Sequence, residues 1–292
     1  MADSWEVIDR NPETFKVCGE RGETYQLHTS GRVWRRLSNG DWEMLSNNPA
    51  TVDIYCADGY LYQMTSSGRV YRYTGVPVTG WEQIADNPVV SSLAAAGSAL
   101  FALERKGRVW SYPGSGSVWT DVTSVGTGFN QLAGAESQRM GGRVGPAIVI
   151  TPEIYAIEFI TGKIAQYSKA GWATIASNQA VVALVGGQYQ DGFSYEATVY
   201  ALESGGIIQQ YTGPAMTGWT KLDDDSRTEQ IAAGGTGLYK RRRSGSVWAY
   251  SGTPMGWDQI AQDDISTRLI AASADAIYLL RASGELLKKT VD

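Results

Sequence analysis

The 292-residue chain is poor in the residues that usually carry chemistry. It has two cysteines, Cys18 and Cys56, too few for a disulfide framework. Met1-Ala2-Asp3-Ser4-Trp5-Glu6 offers neither a basic n-region nor an apolar h-region. The expectation is therefore no secretory signal, a cytoplasmic location and free thiols, with export by a route that needs no signal peptide left open. One histidine, His28, excludes a zinc site built from several histidines and leaves a Ser-His-Asp triad a single choice. We read His28 as a strand residue of no special role. No apolar run reaches the roughly 18 residues of a membrane-spanning helix, which predicts no membrane insertion. Charged residues make up 19%, and 25 Lys plus Arg against 30 Asp plus Glu give a net charge of −5, the wrong sign for a nucleic-acid binder. No Walker loop, nucleophile elbow or metal-ligand cluster occurs, so we expect no cofactor, no metal and no enzyme.

What is abundant is glycine and large aromatics: 34 Gly, 16 Tyr and 10 Trp. The tryptophans fall in a register, at Trp5, Trp42, Trp81, Trp119, Trp172, Trp219 and Trp257. Around them the text repeats, as in Trp5-Glu6-Val7-Ile8, Trp42-Glu43-Met44-Leu45, Trp81-Glu82-Gln83-Ile84 and Trp257-Asp258-Gln259-Ile260. Asn-Pro follows at Asn11-Pro12, Asn48-Pro49 and Asn87-Pro88. Each unit then holds a small-residue segment (Val17-Cys18-Gly19, Tyr55-Cys56-Ala57, Ala94-Ala95-Ala96 and so on). Next comes a segment opening with Tyr25, Tyr62, Phe101, Tyr155, Tyr200, Tyr239 or Tyr278. Leu27, Met64, Leu103, Ile157, Leu202, Arg241 or Leu280 follows two residues later, the spacing of one strand face. A turn glycine comes after it, at Gly31, Gly68, Gly107, Gly162, Gly205, Gly245 or Gly284, and a third segment follows, such as Gly31-Arg32-Val33-Trp34.

Seven units of about forty residues, four short strands each, predict an all-β, seven-bladed β-propeller with four antiparallel strands per blade. The small-residue strand belongs at the axis and the Trp strand at the rim. Trp5–Ile8 should close the last blade beside Leu286–Lys289, removing two free sheet edges. With no linker or low-complexity stretch, residues 1–292 are expected to form a single domain. Two units are longer, near Glu136–Pro152 and Gln188–Ala197. Both insertions should project from the same face, on neighbouring blades.

The pattern Gly-Arg-Val-(Trp/Tyr)…Tyr…Gly…Gly-Trp-Glu-x-Ile resembles the tectonin and tachylectin repeat, and more loosely that of fungal fucose-binding lectins. The resemblance covers nearly the whole chain. It implies a multivalent carbohydrate-binding lectin acting in defence, with glycans or glycoconjugates as partners and repeated sites along the blades. In the fucose-lectin resemblance an Arg at the start of the third strand bonds the sugar, with an acid and an aromatic nearby. Carried over, this singles out Arg32, Arg69 and Arg108, with Trp34, Tyr71 and Trp110 on the same strands and Glu43 and Glu82 beside the register Trp. Trp42, Trp81 and Trp119 are candidate stacking platforms, although a repeated Trp position also serves blade-to-blade packing. A solvated Arg in a surface ion pair is the plainer reading of the turn arginines. Lys163, Gly206, Ser246 and Glu285 replace Arg in the later units.

Two other classes stay in view. Glu104, Glu158 and Glu203 occupy matching positions in consecutive units, which would allow paired-carboxylate chemistry in an enzyme with a pocket at the channel or under the long loops. Those loops hold Arg139, Arg143, Tyr189, Asp191, Phe193 and Tyr195. A protein-interaction scaffold is the third class. The run Lys240-Arg241-Arg242-Arg243 falls on a strand, where a period of two splits it between faces.

Overall fold

The computed structural model describes residues 5–291 except 58, 97–98, 115, 117, 124–127, 142–146, 169 and 192–193; the side chains of 139–141 and 147–149 are also outside the described residues. The described residues form 28 strands and no helix. They fall into seven four-strand antiparallel meanders that follow chain order. Blade 1 spans 14–46, blade 2 51–86, blade 3 90–121, blade 4 129–177, blade 5 181–224, blade 6 228–261, and blade 7 267–290 with Glu6–Asp9 added. The seven inner strands touch in sequence and the last returns to the first, which closes the ring. Glu6–Asp9 pairs with Leu286–Thr290, matching Glu6 to Lys288 and Val7 to Leu287. This is the closure read from the repeat, with the first strand displaced by one residue along the chain and the second longer by one.

The inner strands are made of small residues because nothing larger fits. A Cβ added at Gly134 would run into the Ala95 carbonyl, one at Gly186 into the Gly134 carbonyl, and one at Gly234 into the Ser273 backbone. The hydrophobic core lies between blades. Tyr25, Leu27 and Val33 of blade 1, for example, pack with Ile54, Leu61 and Tyr73 of blade 2. The second-strand aromatics Tyr25 through Tyr278 are all buried in such layers.

The Gly and Asn-Pro signals turn out to be partners. Asn11, Asn48, Asn87, Asn178, Asp225 and Asp264 each accept a hydrogen bond from the backbone N–H two residues on, turning the chain into the next inner strand. The turn glycines abut these corners: Gly31 meets Asn48-Pro49 and Gly68 meets Asn87-Pro88. In blade 5 the residue that does this is Gly206, at φ +80° against Asp225, and not Gly205, which has open space around it. The Gly-Gly pair hid the register.

A second correction concerns the cysteines. Cys18 and Cys56 are joined by a disulfide between the inner strands of blades 1 and 2, with Cα atoms 6.0 Å apart. The expectation of free thiols looked at composition alone. Strand register aligns Cys18 with Tyr55 and Cys56 with Gly19, so the two cysteines stand one residue out of step, an offset that on strands of period two turns their side chains to opposite faces and lets adjacent inner strands present them to each other.

Candidate functional site

The register tryptophans form a girdle. Each indole N–H donates to the backbone carbonyl of the residue three beyond the preceding register Trp. The bonds run from Trp42 to Ile8, Trp81 to Leu45, Trp119 to Ile84, Trp172 to Val122, Trp219 to Ile175, Trp257 to Leu222 and Trp5 to Ile260, at 2.5–3.3 Å. The Trp-x-x-(Ile/Leu/Val) spacing thus supplies a donor to one neighbour and an acceptor to the other. Five of the rings also lie 5.1–5.3 Å from the Tyr of their own third strand, as Trp81 does from Tyr73. Trp42, Trp81 and Trp119 therefore serve as inter-blade cement, each half-buried.

The turn arginines are exposed, and the side chains they bond are not the expected Glu43 and Glu82. Arg32 donates to Asn47, Arg69 to Asp86 at 2.9 Å, and Arg108 to Asp121. Glu43 is bound by Arg35 and Glu82 by Arg72, each at 2.6 Å. The structure does not bring Arg32 to Glu43 or Arg69 to Glu82. In the antiparallel pair, Arg35 stands opposite Glu43 and Arg72 opposite Glu82, while Arg32 and Arg69 lie at the other end of the strand. The Asp121 carboxyl is held below its ordinary range by hydrogen bonds from Thr123 and then by Arg108, against a desolvation that would raise it.

Trp34 stacks on His28 at 5.6 Å, and burial pushes the His28 imidazole below its ordinary value despite Glu13 beside it. Tyr71 is half-buried between Gln63 and Gln83. Trp110 donates to Glu104 at 2.7 Å and lies 4.9 Å beneath Arg108. The three matching carboxylates are each engaged within their own surroundings: Glu104 by Asn87 and Trp110, Glu158 by Thr161, Glu203 by Asn178 and Gln209. The basic run splits as its period demands. Lys240 and Arg242 pair with Asp223 and Asp225, while Arg241 and Arg243 pair with Glu229.

Two features of the surface stand out as places to bind. The first is one end of the axis. A cavity of about 490 Å³ is ringed by the inner-strand ends of all seven blades, with Glu20, Arg21, Glu136 and Asp275 as its charged groups. The two insertions stand beside it. They are not loops but extensions of the strands, Phe129–Gly141 with Ala147–Glu158 in blade 4 and Val181–Asp191 with Ser194–Glu203 in blade 5. Gln138 pairs with Tyr195, Ser137 Oγ accepts from the Ala197 N–H at 2.9 Å, and the Gln188 side chain donates to the Glu136 carbonyl at 3.0 Å. Blades 4 and 5 thereby fuse into one eight-stranded sheet. Tyr195 and Ile150 are exposed on it. Arg143 and Phe193 lie outside the described residues, as does the side chain of Arg139. The second feature is a pair of clefts between blades. One, of about 300 Å³ between blades 2 and 3, brings Trp110 and Trp119 together with Asp86 and Asn87. The other, of about 250 Å³ between blades 4 and 5, is lined by Trp219, Met216, Gln209 and Asn178. Sequence reasoning missed both clefts, although their signal is present as Ala102 and Ala201 at a position filled elsewhere.

No protein-family profile matches the chain, and no curated protein matches it in sequence. Solved structures do match it, and they are β-propellers. YCF48 bound to D1 peptide is 13% identical, covers 99% of this chain and 95% of that one, and superposes with a TM-score of 0.65. A chain of the mitotic checkpoint complex is 9% identical over 99% and 93%, at 0.63. A chain from yeast RCC1 (Prp20) bound to Kap60 is 10% identical over 82% and 70%, at 0.58. These likenesses establish the propeller fold. They do not single out the tectonin family. They also correct the expectation of glycans or glycoconjugates as partners, because the molecules that accompany these neighbours are a peptide and other proteins. Of the residues that carried the glycan expectation, Trp42, Trp81 and Trp119 are engaged in the girdle, Arg69 and Arg108 in surface ion pairs, and Arg32 with the Asn47 amide.

Proposed function

We propose that this chain is a non-catalytic propeller that binds a protein or an extended peptide on the hairpin-bearing end of its axis. The observation that carries this reading is the joined pair of hairpins from blades 4 and 5. The six hydrogen-bonded corners among the described residues and seven similar girdle bonds keep the ring regular, yet one face of two neighbouring blades departs from it. A rigid ring with one elaborated face is the usual arrangement of a binding surface. The wall so formed stands beside a cavity that no single blade could make. The protein and peptide partners of structurally similar propellers support the reading. The tectonin-like repeat is then the signature of the architecture, and no role for it in binding is needed.

Binding of the labelled protein to an array of tiled peptides tests this. Selective capture of a related set of peptides is expected. Trimming both hairpins to the tight turns of the other blades should abolish that capture while the circular dichroism of the ring is kept. An empty array, or capture unchanged by trimming, overturns the proposal.

A further inference from the structure

The junctions between blades are chemically equivalent positions filled in different ways. At each, the second residue of the second-strand motif faces the preceding blade. Strand register aligns Gln26, Gln63, Ala102, Ala156, Ala201, Lys240 and Leu279 at this position. Gln26 and Gln63 accept hydrogen bonds from Thr14 and Thr51, Leu279 joins a core cluster, and beside Ala156 the Phe129 ring fills the space by stacking on Trp172 at 4.4 Å. At Ala102 and Ala201, the flanking residues are Val90 with Ala85 and Val181 with Ala176, and the two clefts remain.

The junction between blades 5 and 6 shows what fits. There the Lys240 side chain, 1% exposed, lies with its ammonium 4.5 Å over the register Trp257 and paired to Asp223. The charges around it are Lys240 and Arg242 with Asp223 and Asp225, and Arg227 adds a second arginine on Asp225. At the two open clefts the same four positions read Ala102, Glu104, Ala85 and Asn87, and Ala201, Glu203, Ala176 and Asn178. Glu104 and Glu203 are 6% and 9% exposed. Their hydrogen-bond donors, among the described residues, are the neutral groups of Asn87 and Trp110, and of Asn178 and Gln209. No cation among the described residues comes within ion-pair reach of either carboxylate; Arg108, whose charge Glu104 feels, is held by Asp121. A buried carboxylate without a cation is costly. Each cleft therefore has an unfilled side-chain position, and just behind its lining residues Asn87 and Trp110, or Asn178 and Gln209, a buried carboxylate that meets no cation among the described residues.

We propose that the clefts between blades 2 and 3 and between blades 4 and 5 each receive a lysine side chain of a partner polypeptide. The ammonium sits over Trp119 or Trp219, as Lys240 sits over Trp257, and the buried Glu104 or Glu203 compensates its charge. This rests on the protein-binding reading above and adds two sites away from the hairpin face.

The test is titration of protein carrying 15N at the Trp indoles with Nα-acetyl-lysine methylamide and its norleucine counterpart. Saturable shifts of a subset of indole signals are expected with the lysine probe, with dissociation constants of about 1 mM, the range of a single side chain. Norleucine should bind about tenfold more weakly, and Glu104→Gln with Glu203→Gln should weaken the lysine response about tenfold, the loss of one charge-assisted contact. Ala102→Leu with Ala201→Leu, which places the residue of blade 7 in blades 3 and 5, should remove the response while the other indole signals stay in place. Equal binding of norleucine overturns the cationic occupant. A response that survives the leucine substitutions overturns the clefts, and no response to either probe overturns both. A lysine response beside an empty peptide array would leave the clefts standing and remove the hairpin reading; peptide capture by the unsubstituted protein with no lysine response would do the reverse.

Discussion

Asp225, at the corner between blades 5 and 6, takes hydrogen bonds from Arg227 and ion-pairs with Arg242. Burial alone would raise its carboxyl, but the Arg227 bonds and the Arg242 charge overcome that and hold it at about 2. The folded-state value is the lower one, so its stabilisation is present above the ordinary carboxylate range and is lost as pH falls from about 4 toward 2. A shift from 3.8 to about 2 corresponds to about 2 kcal/mol. Asp225→Asn should cost about that much in urea unfolding at pH 7, and the difference from wild type should close near pH 2. Single residues were the least legible level of the sequence. The seven Trp positions read as architecture or platform, and their architectural part rests on the carbonyl three residues past the preceding Trp, which lies on another blade. The resemblance gives Arg32 and Arg69 the acids Glu43 and Glu82, whereas antiparallel register hands those acids to Arg35 and Arg72.

Turns and strands were legible because their chemistry is local. Glycine with positive φ, an Asx corner and alternating burial leave marks within a few residues, and the repeat averages them over seven copies. Where two glycines adjoin, that average fails, and blade 5 shows how to check it. Gly206→Ala should destabilise the protein by about 1–3 kcal/mol, since the residue is at φ +80° and faces the Asp225 carbonyl. Gly205→Ala, with open space around it, should stay within about 0.5 kcal/mol by chemical denaturation. The insertions illustrate the limit from the other side. Their place, shared face and neighbouring blades followed from the repeat. That they continue as strands and pair at Gln138 and Tyr195 depends on a meeting of two segments far apart in the chain, and no periodicity within either records it.

At the scale of the ring, the blade count and the closing strand followed from arithmetic on the repeat. The disulfide did not, because it needs the distance between two inner strands. It joins residues 38 apart in sequence, a loop whose closure is worth about 2–4 kcal/mol. No thiol should titrate in the unreduced, denatured protein, and Cys18→Ser with Cys56→Ser should lower stability by that amount. The ring also has an offset between text and structure. The outer strand of one blade is followed directly by the inner strands of the next, so a junction is written in one continuous stretch: Trp219 through Lys240 holds Asp223, Asp225 and the lysine they neutralise. When such a stretch is copied in a gene, both halves of the contact are inherited together. A new copy then arrives with its compensating charges already matched, and the filling of one junction can differ from that of the next, as it does in blades 3, 5 and 6, with the charged residues concerned close together in the chain.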